Sequence, residues 1–291
     1  MNSKISEEVN NYLNDYKFDN ERFINLIQEL SIHHLANCLE YSSILKKVFN
    51  FENNKFKKNS LEDLPYLPTN IFKKYELKSI NDREIFKILK SSGTSGQIPS
   101  QIFLDRFNAR MQSIALSKIF TDFTGLKRPR ILIIDNPDLI KNPSRFSARM
   151  AGIIGFSSLC RKPTYALNSD MTVNIEAIEN FLNENDDQIL VYGFTFIIWL
   201  HFMAKDLPDN IKNKLSKSVM LHGGGWKKLE DKKVDKEKFR RIVKDKTGIE
   251  KVINYYGMVE QTGSIFMECS EGFLHSNPLC EVISRSSKDI K

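Results

Sequence analysis

Residues 188–207 read "QILVYGFTFIIWLHFMAKDL". Gln188 to Gly193 form a short apolar run of strand length, and from Phe196 to Leu207 the apolar residues continue over a length that suits a helix. The greasiest part, 189–204, is shorter than a typical membrane span and is broken by Gly193. It predicts a buried strand turning into a buried helix.

Working outward, the same alternation recurs. "ILIID" (131–135) reads as a strand, and "RFSARMAGIIG" (145–155) and "VNIEAIENFLNEN" (173–185) as helices. "SVMLHGGGW" (218–226) is a strand ending in glycines, a basic helix follows near 235–246, and "KVINYYG" (251–257) is a further strand. Short apolar runs separated by helices of ten or more residues predict parallel strands covered by helices, so the fold class is α/β. "EIFKILK" (84–90) is a strand, and the tail "SIFMECSEGFLHSNPLCEVISR" (264–285) reads as antiparallel hairpins. Upstream, Val9, Leu13 and Tyr16, then Phe23, Ile24, Ile27 and Leu30, recur at helical spacing. They predict two or three amphipathic helices between Ser6 and about Asn50. Pro65 and Pro68 interrupt that pattern, and Thr69 or Asn70 can start a short helix. The expected organisation is a helical N-terminal region over 1–62 and a large α/β domain over 63–291.

With 291 residues, 41% hydrophobic and 27% charged, the chain has an ordinary globular composition and enough length for a sizeable core. The net charge is +7, part of it between Lys227 and Lys246, where ten Lys or Arg face five Asp or Glu. Charge of both signs around Val234, Phe239 and Ile242 fits a solvated helix better than a nucleic-acid face, and no nucleic-acid motif accompanies it. Cys38, Cys160, Cys269 and Cys280 are far apart, as expected of reduced thiols, and the start "MNSKISEEVN" has no signal core. The sequence predicts a cytoplasmic protein with no membrane span.

Three strand ends carry loops of unusual composition, where ligands of parallel α/β sheets gather. In "KSSGTSGQIPSQI" (90–102), Gly93 and Gly96 let the backbone close around a ligand. Ser91, Ser92, Thr94 and Ser95 add hydroxyls, and successive N–H groups can form a nest for a polyphosphate. Gln97 stands where a Walker loop needs Lys, and the Gly93–Gly96 spacing is wrong for a nucleophile elbow. In "HGGGWKK" (222–228), Gly223, Gly224 and Gly225 allow a flat ring to lie against bare backbone. In "YYGMVEQTG" (255–263), Tyr255 and Tyr256 could stack on a base before the turn at Gly257. Glu260 is placed to hold Mg²⁺, which takes one or two carboxylates plus phosphate oxygens. Taken singly, each loop also reads as a tight turn.

Together, "SSGTSGQIPS", the glycine run and "YYGMVEQTG" resemble, in order and spacing, the nucleotide motifs of the acyl-adenylate-forming superfamily. "LPYLPTNIFKKYEL", "LHGGGWKK" and "YGMVEQTGSIFMEC" look most like the acyl-protein synthetase family of the bacterial bioluminescence fatty-acid reductase system, over roughly Leu64 to Arg285. The resemblance implies the large N-terminal domain of the adenylate-forming fold. It implies that a (long-chain) fatty acid or other carboxylic acid reacts with ATP and Mg²⁺ to give acyl-AMP, whose acyl group passes to a cysteine thiol. An acyl-reductase or acyl-carrier protein would be the partner. By position, Ser91, Ser92, Gly93, Thr94, Ser95 and Gly96 would hold the phosphates, Gly223 to Gly225 would line the adenine, Tyr256 would stack on it before Gly257, and Glu260 would bind Mg²⁺. Thr94 and Glu260 would be the residues at the reaction itself.

Two departures stand out. Val259 replaces the hydroxyl residue usual before the glutamate, with Thr262 as the nearby substitute. The superfamily's ribose-binding aspartate, hinge and catalytic lysine, and this family's acyl-accepting cysteine, are expected beyond Lys291, so the chain reads as the large domain of a longer synthetase or a truncated form with weak adenylation. Phe194, Phe196, Ile198, Trp199 and Phe202 are acyl-pocket candidates, although their composition fits plain core better. His222 either orients a carboxylate or is a satisfied strand-end histidine. Cys269, His275 and Cys280 lack the fourth ligand of a zinc site and read as scattered thiols. An aryl- or phenylacetate-type CoA ligase and a non-catalytic nucleotide-binding module remain as alternatives.

Overall fold

The computed structural model describes residues 3–49, 51, 56, 60–91, 98–141, 148–184 and 188–286. The chain divides into two compact units, one of Met1–Ile119, Gly257–Ile265 and Ser276–Lys291, the other of Phe120–Tyr256 and Phe266–His275.

The first unit starts with three amphipathic helices, α1 (Ser3–Asp15), α2 (Asn20–Asn37) and α3 (Leu39–Val48), as the apolar spacing predicts. Asp19 caps α2 by accepting the Arg22 N–H at 2.9 Å. The proline-flanked stretch makes one 3₁₀ turn, Thr69–Lys73. β1 (Lys87–Lys90) and β2 (Gln101–Leu104) pair antiparallel, and α4 (Arg106–Thr124) follows, beginning in this unit and ending in the other. Leu13, Met111 and Ala115 form a small core here with Phe107, Ile114 and Leu279 packed on it.

The second unit carries the sheet. β3 (Arg130–Ile134), α5 (Ala148–Leu159), β4 (Arg161–Tyr165), α6 (Ile175–Leu182) and β5 (Ile189–Phe194) come first. A short helical turn α7 (Thr195–Ile197), α8 (Asp209–Leu215), β6 (Val219–Gly223), α9 (Lys236–Thr247), β7 (Lys251–Tyr256), β8 (Phe266–Glu268) and β9 (Leu274–His275) follow. The strand order is β4-β3-β5-β6-β7-β8-β9. The first five strands are parallel and the last two add antiparallel. β3, β5 and β6 are buried along their whole length, which is why their sequences are continuous apolar runs rather than alternating ones. The chain steps outward from β3 to β4, then crosses back past β3 to β5 and continues the other way to β6 and β7. The direction reverses at the β3/β5 boundary, so a topological switch point opens beyond their carboxyl ends.

Helix ends in this unit are set locally. Asp235 accepts the Lys238 N–H at 2.7 Å to start α9, and Gly248 ends it with φ +79°. A side chain at 248 would strike the Lys212 backbone. Phe239 and Val243 form the buried stripe of α9 and most of its basic residues are exposed, as the solvated-helix reading has it, but Arg240 turns inward and donates to Ser270 O at 2.7 Å and Cys269 O at 3.0 Å.

Two sequence expectations change. The helix expected over 196–207 is α7 followed by a single π-helical turn, Ile198–Phe202, closed by Met203 N–H donating to Ile198 O at 2.8 Å. Ile197 and Phe202, and Ile198 and Met203, are all buried. A spacing of five keeps such pairs on one side in a π turn but splays them in an α-helix. The tail keeps the expected antiparallel hairpin only as far as β8 and β9, and 276–286 has no regular structure. There Pro278 offers no N–H, and Asn277 pins the backbone by donating to Ser264 Oγ at 3.1 Å and to Ile265 O at 3.3 Å.

Candidate active site

Chemistry-bearing residues gather at the carboxyl ends of β3, β5, β6 and β7. Gly223 pairs with Phe194 on one side and Tyr255 on the other, so the glycine run and the tyrosine pair are neighbours along one sheet edge. A Cβ on Gly223 would lie 2.6 Å from the Tyr255 ring, and one on Gly224 would lie 2.6 Å from Cε1 of Phe194. Gly224 and Gly225 have φ of +80° and +66°, where a side chain is strained. Beyond Gly225 there is open space, since nothing lies within 4 Å of its missing Cβ. The glycines are therefore there for a reason beyond flexibility: two aromatic rings rest against them, and the third turns a bare peptide outward.

Under this edge lies an aromatic floor. Phe156 of α5 is tilted on Tyr192 with centroids 4.6 Å apart and meets Tyr255 edge-on at 5.0 Å. Tyr192 and Tyr255 share a hydrogen bond between phenol oxygens 2.9 Å apart. Burial pushes both phenols above their usual range, so both stay neutral.

His222 resolves as the strand-end histidine. Thr195 donates its single hydroxyl proton to Gly223 O at 3.1 Å, so it accepts from His222 Nδ1 at 2.9 Å, which assigns the proton to Nδ1. The imidazole stacks beside Phe239 at 4.7 Å, and burial, helped by the Arg240 charge, holds its pKa down to about 3. It is a neutral brace between β5 and β6, with no carboxylate to orient among the described residues.

At the β3 end, Asp135 is buried and accepts from Arg149 Nε at 3.1 Å. Burial raises the Asp135 pKa while the Arg149 charge opposes it. Neither residue stands out in the sequence, because their pairing depends on a turn of chain between β3 and α5. The acyl-pocket candidates divide. Ile198 and Phe202 are core, Trp199 packs on Trp226 and Phe239, and only Phe194 and Phe196 face the glycine edge region, with Lys227 Nζ 5.5 and 4.9 Å from their ring centres.

Tyr256, at the end of β7, is half exposed, its ring 6.4 Å from that of Phe266. Gly257 and Glu260 belong to the stretch 257–265, counted in the first unit, where a Cβ on Gly257 would lie 3.0 Å from Ile265. Glu260 sits in a turn closed by Gln261 N–H donating to Met258 O at 3.2 Å, and Thr262 donates its hydroxyl to Val259 O at 3.0 Å. Glu260 has no hydrogen bond or ion pair among the described residues, so its carboxylate is available to a cation. In the first loop, Ser91 braces the neck. Its N–H donates to Ser100 O at 3.1 Å and its hydroxyl accepts the Ser100 N–H at 2.8 Å. Ser92, Gly93, Thr94, Ser95 and Gly96 lie outside the described residues. Cys269, His275 and Cys280 form no metal-holding group among the described residues.

Solved structures that share this fold include a CoA ligase in several states. The open form of 2-hydroxyisobutyryl-CoA ligase with 2-HIB-AMP and CoA matches with a TM-score of 0.57 and 15% identity, over 84% of this chain and 52% of that one. The same ligase in its thioesterification state matches with 0.54 and 13%, over 88% and 53%. The fold is thus that of the adenylate-forming ligases. The chain belongs to the family described as "Acyl-protein synthetase, LuxE", which it matches over residues 14–291. A curated relative, the long-chain-fatty-acid–luciferin-component ligase of Vibrio harveyi, is 26% identical over 189 residues, 63% of this chain and 48% of the relative. The chain spans about half the length of the relatives it matches.

Proposed function

We propose that this chain supplies the nucleotide- and acid-binding part of a ligase that joins a fatty acid or other carboxylic acid to AMP, for transfer of the acyl group to a cysteine thiol. The observation that carries this reading is the register of β6 and β7. Gly223 opposite Tyr255 carries the chain out to the bare peptide at Gly225, past the strand end from which the half-exposed Tyr256 ring projects, the elements a flat base needs. On this reading residues 63–291 are the adenylate-forming large domain and 1–62 a helical addition. Ser91, Ser92, Gly93, Thr94, Ser95 and Gly96 hold the phosphates, Gly223 to Gly225 line the adenine, and Tyr256 stacks on it, with Gly257 turning the chain toward Glu260. Glu260 and Thr94 are the residues at the reaction.

Glu260 is the residue that would hold Mg²⁺, and the ion would supply positive charge to offset the repulsion between carboxylate and triphosphate. The chain's own part is to orient the two anions, which converts a bimolecular encounter into a local one. The acceptor thiol belongs to an acyl-reductase or acyl-carrier partner or to the enzyme itself, and the setting is cytoplasmic. No helix among the described residues is long and apolar enough to cross a membrane.

Calorimetry with ATP and Mg²⁺ tests the reading. Gly93→Val and Glu260→Ala should each weaken binding by at least about tenfold, the equivalent of one or two lost charge-assisted contacts. Wild-type affinity in both variants would refute it.

A further inference from the structure

Lys227 opens the basic run, yet it stands nine residues before the start of α9 and does a different job from that helix's solvated face. Its backbone has φ +50°, a conformation that costs energy for a residue with a side chain. Its ammonium lies over two rings, 4.9 Å from the centre of Phe196 and 5.5 Å from that of Phe194. It has no carboxylate partner among the described residues, whereas the nearby Arg149 is answered by Asp135. Lys227 is exposed as a residue, yet desolvation of its ammonium pulls its pKa down, and repulsion from Arg149 adds to this. An unanswered cation beside another cation, held against aromatic surface by a strained backbone, is built to receive an oxyanion.

Its place selects the kind of oxyanion. Phe194 ends β5 and Asp135 follows β3, so the cluster marks the switch point where ligands of such sheets bind. A polyphosphate gains nothing from two phenylalanine rings. An acid with a hydrocarbon tail uses both features at once. We propose that Lys227 positions the organic acid: its ammonium receives the carboxylate, and the adjoining chain lies along Phe194 and Phe196. This rests on the reading of the edge as an acid-activating site and adds the residue that holds the acid's charged end.

Calorimetry on the full chain separates the possibilities, with octanoate, 1-octanol and Mg²⁺-ATP titrated into wild type, Lys227→Gln and Lys227→Arg. The expected result is octanoate affinity down about tenfold or more in Lys227→Gln and within about threefold of wild type in Lys227→Arg. Octanol and ATP affinities should not change in either variant, a charge-specific pattern that a merely structural lysine would not produce. Equal octanoate affinity in wild type and Lys227→Gln overturns the assignment and leaves the nucleotide reading standing. Failure of wild type to bind octanoate also overturns it, and failure to bind ATP as well removes the proposed function with it.

Discussion

Tyr192 on β5 and Tyr255 on β7 reach each other over the intervening strand β6, their phenol oxygens 2.9 Å apart. The crossing exists because position 223 carries no side chain to stand in the path of the Tyr255 ring. One phenol donates and the other accepts, so the pair answers its own polarity in an interior otherwise lined by Phe156 and Phe194.

Adding a methyl group at Gly223 should therefore displace Tyr255 rather than merely crowd a turn. Gly223→Ala is expected to lower unfolding stability by about 1–3 kcal/mol, the range for overpacking a filled core. Tyr255→Phe, which leaves the Tyr192 hydroxyl without its partner, should cost about 1–3 kcal/mol by a different route. The two losses should be less than additive, because the first substitution already breaks the hydrogen bond. Urea unfolding of the single and double variants measures this, and full additivity would mean that Gly223 serves something other than the crossing.

The neutral brace at His222 makes stability depend on pH. Its imidazole titrates from 6.5 in the unfolded chain to about 3 in the fold. Between those values the unfolded chain carries the extra proton, so stability is complete above about pH 6.5 and falls as the solution is acidified toward pH 3. The contribution to the slope is at most about 1.4 kcal/mol per pH unit. His222→Gln keeps a donor for Thr195 but does not titrate. Its stability should fall less steeply than that of wild type between pH 6.5 and 4.5, a flattening of up to about one proton's worth. Parallel stability curves for the two proteins would place the titration elsewhere.

How much of this was legible in the sequence depends on whether the signal is local. The runs at 131–134, 189–194 and 219–223 announce themselves because a strand buried on both faces must be apolar throughout. β4, with the sequence "RKPTY", does not, because it lies at the sheet edge and its first three residues are exposed. α8 is too short to show a period, and the four-residue recurrence of Met111, Ala115 and Ile119 in α4 is diluted by the polar residues between them. The glycine run and the tyrosines carry local composition, so their adjacency could be expected from neighbouring strands. Arg149 with Asp135, and Lys227 with Phe194 and Phe196, carry none: each pair is joined only by folding across 14 to 33 positions. The π turn after α7 was hidden for a related reason, since its register follows the surfaces around it.

Cys269, Cys160 and Cys280 should differ sharply in reactivity. Burial pushes Cys160 up to about 12 and raises Cys280 as well. Cys269 is partly accessible, and hydrogen bonding from the Phe273 backbone, with support from His275, pulls its pKa down. Brief iodoacetamide treatment of the native protein at pH 7, followed by mass spectrometry, should label Cys269 first and leave Cys160 unmodified until denaturant is added. His275→Gln should slow the labelling of Cys269, while Cys160 labelling ahead of Cys269 would contradict the assigned surroundings.

The half-exposed ring of Tyr256 allows binding to be separated from stability. A side chain with that much solvent contact adds little to the core, so Tyr256→Ala should unfold within about 0.5 kcal/mol of wild type. If the ring is the platform for a base, the same variant should lose about 1–3 kcal/mol of ATP affinity, the usual worth of one stacked base. Tyr256→Phe retains the aromatic face and should bind ATP almost as wild type does. GTP and UTP offer equally flat rings, so whatever preference the site has for adenine must come from polar groups of the Gly223–Gly225 shelf, and Tyr256→Ala should weaken all three nucleotides by a similar factor. A loss confined to ATP would move the tyrosine from platform to base-reading contact, and no loss at all would take the nucleotide away from the end of β7.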